Sequence, residues 1–184
     1  NKKFIQKIGP LTEKKIERGL IPEKVEKAFI SSEDRRFYQH NGVDFIGIVR
    51  AIITNSKHTE YKEGASTITQ QLARIVFLNQ NKTLSRKFKE LALALKIERN
   101  FTKKQILKFY LNNVYLGSNA YGISDAAWIY FSKTPSQLKL EEAALIAGLA
   151  PAPSLYSPLF NPGLAIKRRN IVLERMKNEN FISQ

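Results

Sequence analysis

The chain has 184 residues, 30 of them Lys or Arg against 16 Asp or Glu, for a formal net charge of +14. That length supports one domain with a sizeable core and hardly two. The absence of cysteine excludes a disulfide framework, a thiolate nucleophile and a thiolate metal site, and the basic excess points to an anionic partner: nucleic acid, an anionic membrane surface or a phosphorylated substrate. No apolar run reaches the roughly 20 residues that span a bilayer. The opening Asn1-Lys2-Lys3-Phe4-Ile5 leads into charge and has no signal-peptide pattern. A start without methionine suggests a processed or trimmed piece, which leaves room for a membrane anchor upstream.

Taken in order, the chain reads as helix after helix. Pro22 to Ile30 opens with proline and acidic residues at the positive end of a helix dipole, and Val25, Phe29 and Ile30 give it an apolar face. Ser32 to Asp44 then crowds three carboxylates, two arginines, two aromatics and a histidine around Gly42. Phe45 to Ile53 is apolar apart from Gly47 and Arg50. It suits either a membrane surface or an ordinary core helix, and composition favours the core. Asn55 to Lys62 is a polar loop containing His58, which receives no role. Ser66 to Phe77 is predicted helical with Ile68, Leu72, Ile75 and Val76 inward. In the helix expected from Leu84 to Arg99, Arg86, Lys87 and Glu90 share one face. Thr102 and Gln105 form a capping box before a helix running through Ile106, Leu107, Tyr110, Leu111 and Val114. Ser124 to Phe131 and Glu141 to Leu149 are two further helices. Pro151, Pro153, Pro158 and Pro162 enforce an irregular loop, and a basic helix from Ala165 to Met176 closes the chain. Period-2 alternation is scarce, so the fold is predicted all-α in a single domain over 1–184.

Isolated surface ion pairs contribute at most about 1 kcal/mol, and buried charges cost more than they return unless paired. The crowding around Glu33 therefore suits acid/base chemistry better than stability. Glu33 and Glu90, each flanked by cations, suggest glycosyl or phosphoryl chemistry on an anionic substrate, and in an inverting glycosyl transfer one carboxylate takes the proton of the attacking hydroxyl. A diphosphate leaving group needs cations more than protonation, and Arg86 and Lys87 supply them. The bland reading of that triplet is a solvated, salt-bridged helix face. Ser66, Thr67, Thr69, Gln70 and Gln71 could bond sugar hydroxyls or phosphate oxygens at a helix N-terminus, or simply cap it. His40 reads as a structural hydrogen-bonder. Ser136 to Lys139 matches Ser-x-x-Lys without its partner motifs and reads as chance. No spacing indicates a tight metal cage. A loosely held Mg²⁺ or Mn²⁺ at Glu33 or Asp34 beside a diphosphate stays open, and no cofactor is required.

Five segments in order then carry a resemblance: Glu33-Asp34-Arg35-Arg36-Phe37-Tyr38-Gln39-His40-Asn41-Gly42; Gly64-Ala65-Ser66-Thr67-Ile68-Thr69-Gln70-Gln71; Arg86-Lys87-Phe88-Lys89-Glu90; Lys104 to Asn112; and Arg168-Arg169-Asn170-Ile171-Val172-Leu173. From about Ile21 to Met176 the chain resembles the peptidoglycan glycosyltransferase domain of class A penicillin-binding proteins and monofunctional transglycosylases. The resemblance implies a lysozyme-like, two-lobed helical fold with an extended cleft. It implies polymerisation of lipid II into β-1,4 glycan strands by inverting transfer, with release of polyprenyl diphosphate. It places the general base at Glu33, the second carboxylate at Glu90 and diphosphate contacts at Arg74, Arg86 and Lys87. Asp34, Arg50, Ser66, Thr67, Gln70 and Gln71 fall on substrate-binding positions of the cleft. The segment between Ile53 and Glu63 matches a membrane-touching region. Arg74 stands where the family usually has Lys, a planar fork in place of a point charge, and Lys108 where it usually has Glu.

The implied setting is the outer face of a bacterial cytoplasmic membrane. The partners are lipid II, the growing glycan, the anionic membrane surface and a fused or separate transpeptidase that lies outside this chain. Two rival readings are a lytic muramidase-like enzyme on the same kind of fold and a nucleic-acid-binding helical module. The first has no need for cations at 74, 86 and 87. The second is disfavoured because the basic residues gather into no recognition helix, so no nucleic acid is expected.

Overall fold

The computed structural model describes residues 21–56, 64–78 and 83–183. Among these, eight α-helices appear: α1 (Glu23–Glu33), α2 (Phe45–Ser56), α3 (Ile68–Phe77), α4 (Leu84–Asn100), α5 (Lys103–Asn113), α6 (Ile123–Phe131), α7 (Leu140–Leu149) and α8 (Pro162–Asn178). Short 3-10 turns cover Phe37–Gln39 and Pro135–Gln137, and the one extended pairing among the described residues is an isolated bridge between Tyr115 and Tyr121. The all-α expectation holds. Residues 57–63, with His58 and most of the segment expected to touch a membrane, lie outside the described residues.

Local chemistry starts α5 where the sequence says it should. The Thr102 hydroxyl accepts from the Gln105 amide while the Gln105 side chain accepts from the Thr102 N–H, the expected capping box of α5. Thr67 and Gln70 build the same device on α3. Pro162 opens α8 three residues earlier than expected, because a first-turn proline loses no helical hydrogen bond.

The helices pack in two groups. α1 lies against α7 and α8, while α3 lies against α4 and α5. Phe29 of α1 meets the Tyr110 ring of α5 edge-on, with centroids 6.2 Å apart, so one continuous core joins the groups. The last turn of α1, which ends at Glu33, therefore sits at the seam between them.

Two packing expectations fail. Ile68 and Leu72 are buried, but Ile75 and Val76 are exposed. The buried stretch of α3 is instead Ile68 through Ala73, including Thr69, Gln70 and Gln71, whose polar groups find partners inside. The core reading of Phe45 to Ile53 also fails. Phe45 is 74% exposed and Ile52 64%, with Ile46, Val49 and Ile53 also outward. Gly47 and Ala51, four residues apart, form the buried side, so α2 turns its small residues in and its large aliphatics out. A Cβ at Gly47 would lie 2.5 Å from Asp44 Oδ2, which explains why that side must stay small.

Candidate functional site

The segment after α1 is bound by polar contacts more than by apolar ones. Asp34 is buried, and both its carboxylate oxygens lie 3.0 Å from His40 Nε2. His40 Nδ1 accepts from the Gly42 N–H at 3.1 Å, so the ring proton sits on Nε2 and is donated to Asp34. Asp34 Oδ2 also accepts from the Ile68 N–H at 3.0 Å, placing a negative charge at the N-terminus of α3. Gly42 has φ +93°, and a Cβ there would meet Ala94 O of α4 at 3.1 Å. Its carbonyl accepts from Thr67 Oγ1 at 2.7 Å. Asp34, His40, Gly42 and Thr67 thus tie the loop to α3 and α4, and His40 is the satisfied structural group the sequence suggested. A second tie runs through Glu98, which accepts from Thr69 at 2.5 Å and Lys103 at 2.8 Å. The Lys103 ammonium stands 4.5 Å from the ring centroid of buried Phe37.

Glu33 projects from the end of α1 and is partly exposed. Ser32 Oγ donates to its Oε1 at 2.9 Å, and Gln71 Nε2 donates to its Oε2 at 2.9 Å. Burial pushes the carboxyl above its ordinary range, while those two donors and the charges of Arg168 and Arg175 pull the other way. Gln71 in turn accepts at Oε1 from the Tyr110 hydroxyl, at 3.0 Å.

Glu90 stands in a different environment. It is 0% exposed on α4, with Arg86 Nη1 donating to Oε2 at 3.0 Å and Lys87 Nζ to Oε1 at 2.6 Å. The three share a face as expected, but a fully buried carboxylate rules out the solvated-face reading. Lys87 also donates to Ser66 Oγ at 3.0 Å. Ser66 lines the same pocket as Ser32, Glu33, Asp34, Arg50 and Thr67, so Ser66 joins the cation pair of α4 to the Glu33 cleft.

The predicted site residues therefore separate by what holds them. Glu33, Arg50 and Ser66 line the pocket, and Arg86, Lys87 and Glu90 adjoin it through Ser66. Arg74 is partly exposed on α3, and its charge acts on the Tyr110 hydroxyl. Thr67 and Gln70 are spent on the capping box, Asp34 on His40 and Ile68, and Gln71 on Glu33 and Tyr110. A divalent cation at Glu33 or Asp34 would have to compete with these donors. Among the described residues no group of three or more His, Asp or Glu side chains could hold a metal.

Three residues near Glu33 escaped sequence reasoning. Tyr110 reads as one more apolar position of α5. Arg168 lies in the fifth motif, which carries no evident chemistry by itself. Arg175 follows it by seven residues, two turns along the same helix, and its Nη1 donates to the Ser32 carbonyl at 3.0 Å.

Comparison with known proteins agrees with this architecture. Residues 1–177 match a family model described as Transglycosylase. The chain is 52% identical over 163 residues to penicillin-binding protein 1A of Aquifex aeolicus, covering 89% of this chain and 22% of that protein. It is 52% identical over 164 residues to penicillin-binding protein 1A of Escherichia coli, covering 89% of this chain and 19% of that protein. The crystal structure of penicillin-binding protein 1A from Haemophilus influenzae superposes with a TM-score of 0.52 at 23% identity. It covers 93% of this chain and 16% of that one, and shares the fold. The chain spans about a fifth of the length of these curated relatives. With its five motifs in order and a family match over nearly its whole length, the chain belongs to the transglycosylase family, the peptidoglycan glycosyltransferases.

Proposed function

We propose that this domain polymerises lipid II, with Glu33 as the general base of an inverting glycosyl transfer. The observation that carries the reading is the pairing of environments at one cleft. A carboxylate raised by burial and held by neutral donors faces the pocket, while a cation pair clamped to a buried carboxylate adjoins it. A base with a raised pKa is a better proton acceptor once ionised, which suits proton transfer from a sugar hydroxyl near neutral pH. Glu33 takes the proton of the acceptor 4-hydroxyl. The freed electron pair attacks the anomeric carbon of the donor, the bond from that carbon to the diphosphate oxygen breaks with inversion, and its electron pair leaves with the polyprenyl diphosphate. Arg86 and Lys87, with Arg74, meet the charge that develops on that leaving group. Glu90 serves as their anchor, since its two oxygens already receive both cations.

Asp34, Thr67 and Gln70 act on substrate through the backbone they fix, and Ser66 and Arg50 touch it directly. The outward aliphatic face of α2, beside Arg50, rests on the outer surface of the bacterial cytoplasmic membrane, where lipid II presents its headgroup. The length of the relatives supports a transpeptidase elsewhere in the full protein.

The test that separates building from breaking supplies the domain with labelled lipid II in one reaction and purified sacculi in another. The reading expects polymer from the first and no soluble fragments from the second. The reverse result overturns it in favour of a lytic enzyme.

A further inference from the structure

The hydrogen-bond chain from Tyr110 through Gln71 to Glu33 spans three helices and ends on the proposed base. Tyr110 is fully buried on α5, beyond reach of substrate. Its hydroxyl donates to Gln71 Oε1 at 3.0 Å, and Gln71 Nε2 donates to Glu33 Oε2 at 2.9 Å. We infer that Tyr110 is a positioning residue for the reaction: its phenol fixes which end of the Gln71 amide faces Glu33 and so favours the ionised base. The inference rests on the reading of Glu33 as base.

Donor and acceptor inventories set the orientation of the amide. An ionised carboxylate only accepts, so it requires Gln71 Nε2, and Oε1 then needs a donor from elsewhere. Tyr110 is that donor. If the amide turned over, Oε1 would face Glu33 and would be satisfied only by a protonated carboxyl. The phenol proton would then lose its partner, and it makes no other hydrogen bond among the described residues. An unpaired buried donor is costly, so Tyr110 penalises the arrangement that suits protonated Glu33. The phenol keeps its proton at working pH, because burial, and then the negative charge of Glu33, push its ionisation well above the ordinary value. A chain of donors in a low-dielectric interior also polarises along its length, which strengthens the final bond to the anion.

The other groups that act on Glu33 do not duplicate this. Ser32 of α1 donates to the opposite oxygen, Oε1. Arg168 and Arg175 of α8 favour the charged form at longer range, without dictating the amide's orientation. Arg74 of α3 and Asp34 act on the Tyr110 hydroxyl in opposite directions. Deleting the phenol oxygen alone leaves Gln71 free to turn its carbonyl toward Glu33.

The experiment measures kcat/KM for lipid II against pH in the parent, Tyr110→Phe, Gln71→Leu and the double variant. Tyr110→Phe keeps the ring that packs on Phe29 and should move the acid limb up by about half to one pH unit, with KM little changed. Gln71→Leu removes the donor outright and should move the limb at least as far. In that background Tyr110→Phe should add no further shift, since the phenol acts through the amide. Equal loss of rate at every pH without a shift in Tyr110→Phe overturns the inference. So does a shift that persists in the Gln71→Leu background. Should Tyr110→Phe fail to fold, an unmoved limb in Gln71→Leu overturns it as well. Carboxyl-carbon NMR of Glu33, assigned by difference against Glu33→Gln, reads the same titration without turnover. An upward shift there in an enzyme whose Glu33→Gln variant still polymerises supports the positioning role and overturns Glu33 as the base.

Discussion

Glu33 and Glu90 are the same residue type, yet the molecule treats them in opposite ways. Glu33 ends α1 at the mouth of a pocket and is held by neutral donors, Ser32 and Gln71. Glu90 sits mid-helix with no exposed surface and is held by two cations, Arg86 and Lys87. Neutral donors can restrain a carboxylate and still leave it able to take a proton. Two cations hold a carboxylate in place and are held in return. The first environment suits the proposed base and the second suits an anchor for a cation pair. The resemblance assigns the two residues their roles, and the contacts around each give those roles a physical cause.

The comparison can be broken most sharply at Glu33. Replacing it with Gln removes proton acceptance while keeping size and hydrogen bonding, and polymerisation should fall by at least about a hundredfold. Glu90→Ala should act through structure as well as rate. Arg86, whose side chain is 16% exposed, is left facing a buried void, while Lys87 at 41% can turn to water. A buried pair broken on one side costs about 3–5 kcal/mol, and the exposure of Lys87 brings the expected loss down to about 2–3 kcal/mol by urea unfolding. A loss below 0.5 kcal/mol, within the range of ordinary surface substitutions, would contradict the anchor role.

The proposed membrane face of α2 offers a third contrast, between contact and stability. Phe45 and Ile52 protrude from α2, so Phe45→Ser with Ile52→Ser should leave thermal unfolding nearly unchanged. The pair should weaken sedimentation with anionic vesicles by at least about a hundredfold, since each buried side chain contributes about 1.5–3 kcal/mol of transfer. Unchanged vesicle binding would place the membrane contact elsewhere.

The smallest expected effect concerns stability against pH. The folded pKa of Glu33 lies above its unfolded value, so the folded state binds more protons between the two. Stability from this group is full below the unfolded value and is lost as pH rises through the folded one. Glu33→Gln should therefore raise the unfolding temperature modestly at pH 7 and not at pH 4, in paired calorimetry scans. A gain of equal size at both would contradict the burial account.

Much of this was legible in the sequence wherever the cause was local. The capping box at Thr102 and the shared face of Arg86, Lys87 and Glu90 follow from spacing along one helix. What failed depended on which side of a helix met a neighbour. α2 is apolar by composition, but its buried side is set by Gly47 and Ala51. Ile75 and Val76 match an inward stripe, yet α3 turns Gln70 and Gln71 inward because Thr67, Glu33 and Tyr110 await them there. Tyr110 looks like core on α5 and is core, but its hydroxyl matters only once α3 is laid across it. Arg175 touches the Ser32 carbonyl across 143 positions of sequence, a separation no local pattern encodes.

The account turns on Glu33 as the base of a polymerising enzyme. The most direct measurement is polymerisation of labelled lipid II in detergent by the parent and by Glu33→Gln, with matched folding checked by circular dichroism. Long glycan from the parent and almost none from the variant is the predicted result. Near-normal glycan from the variant would contradict the central claim.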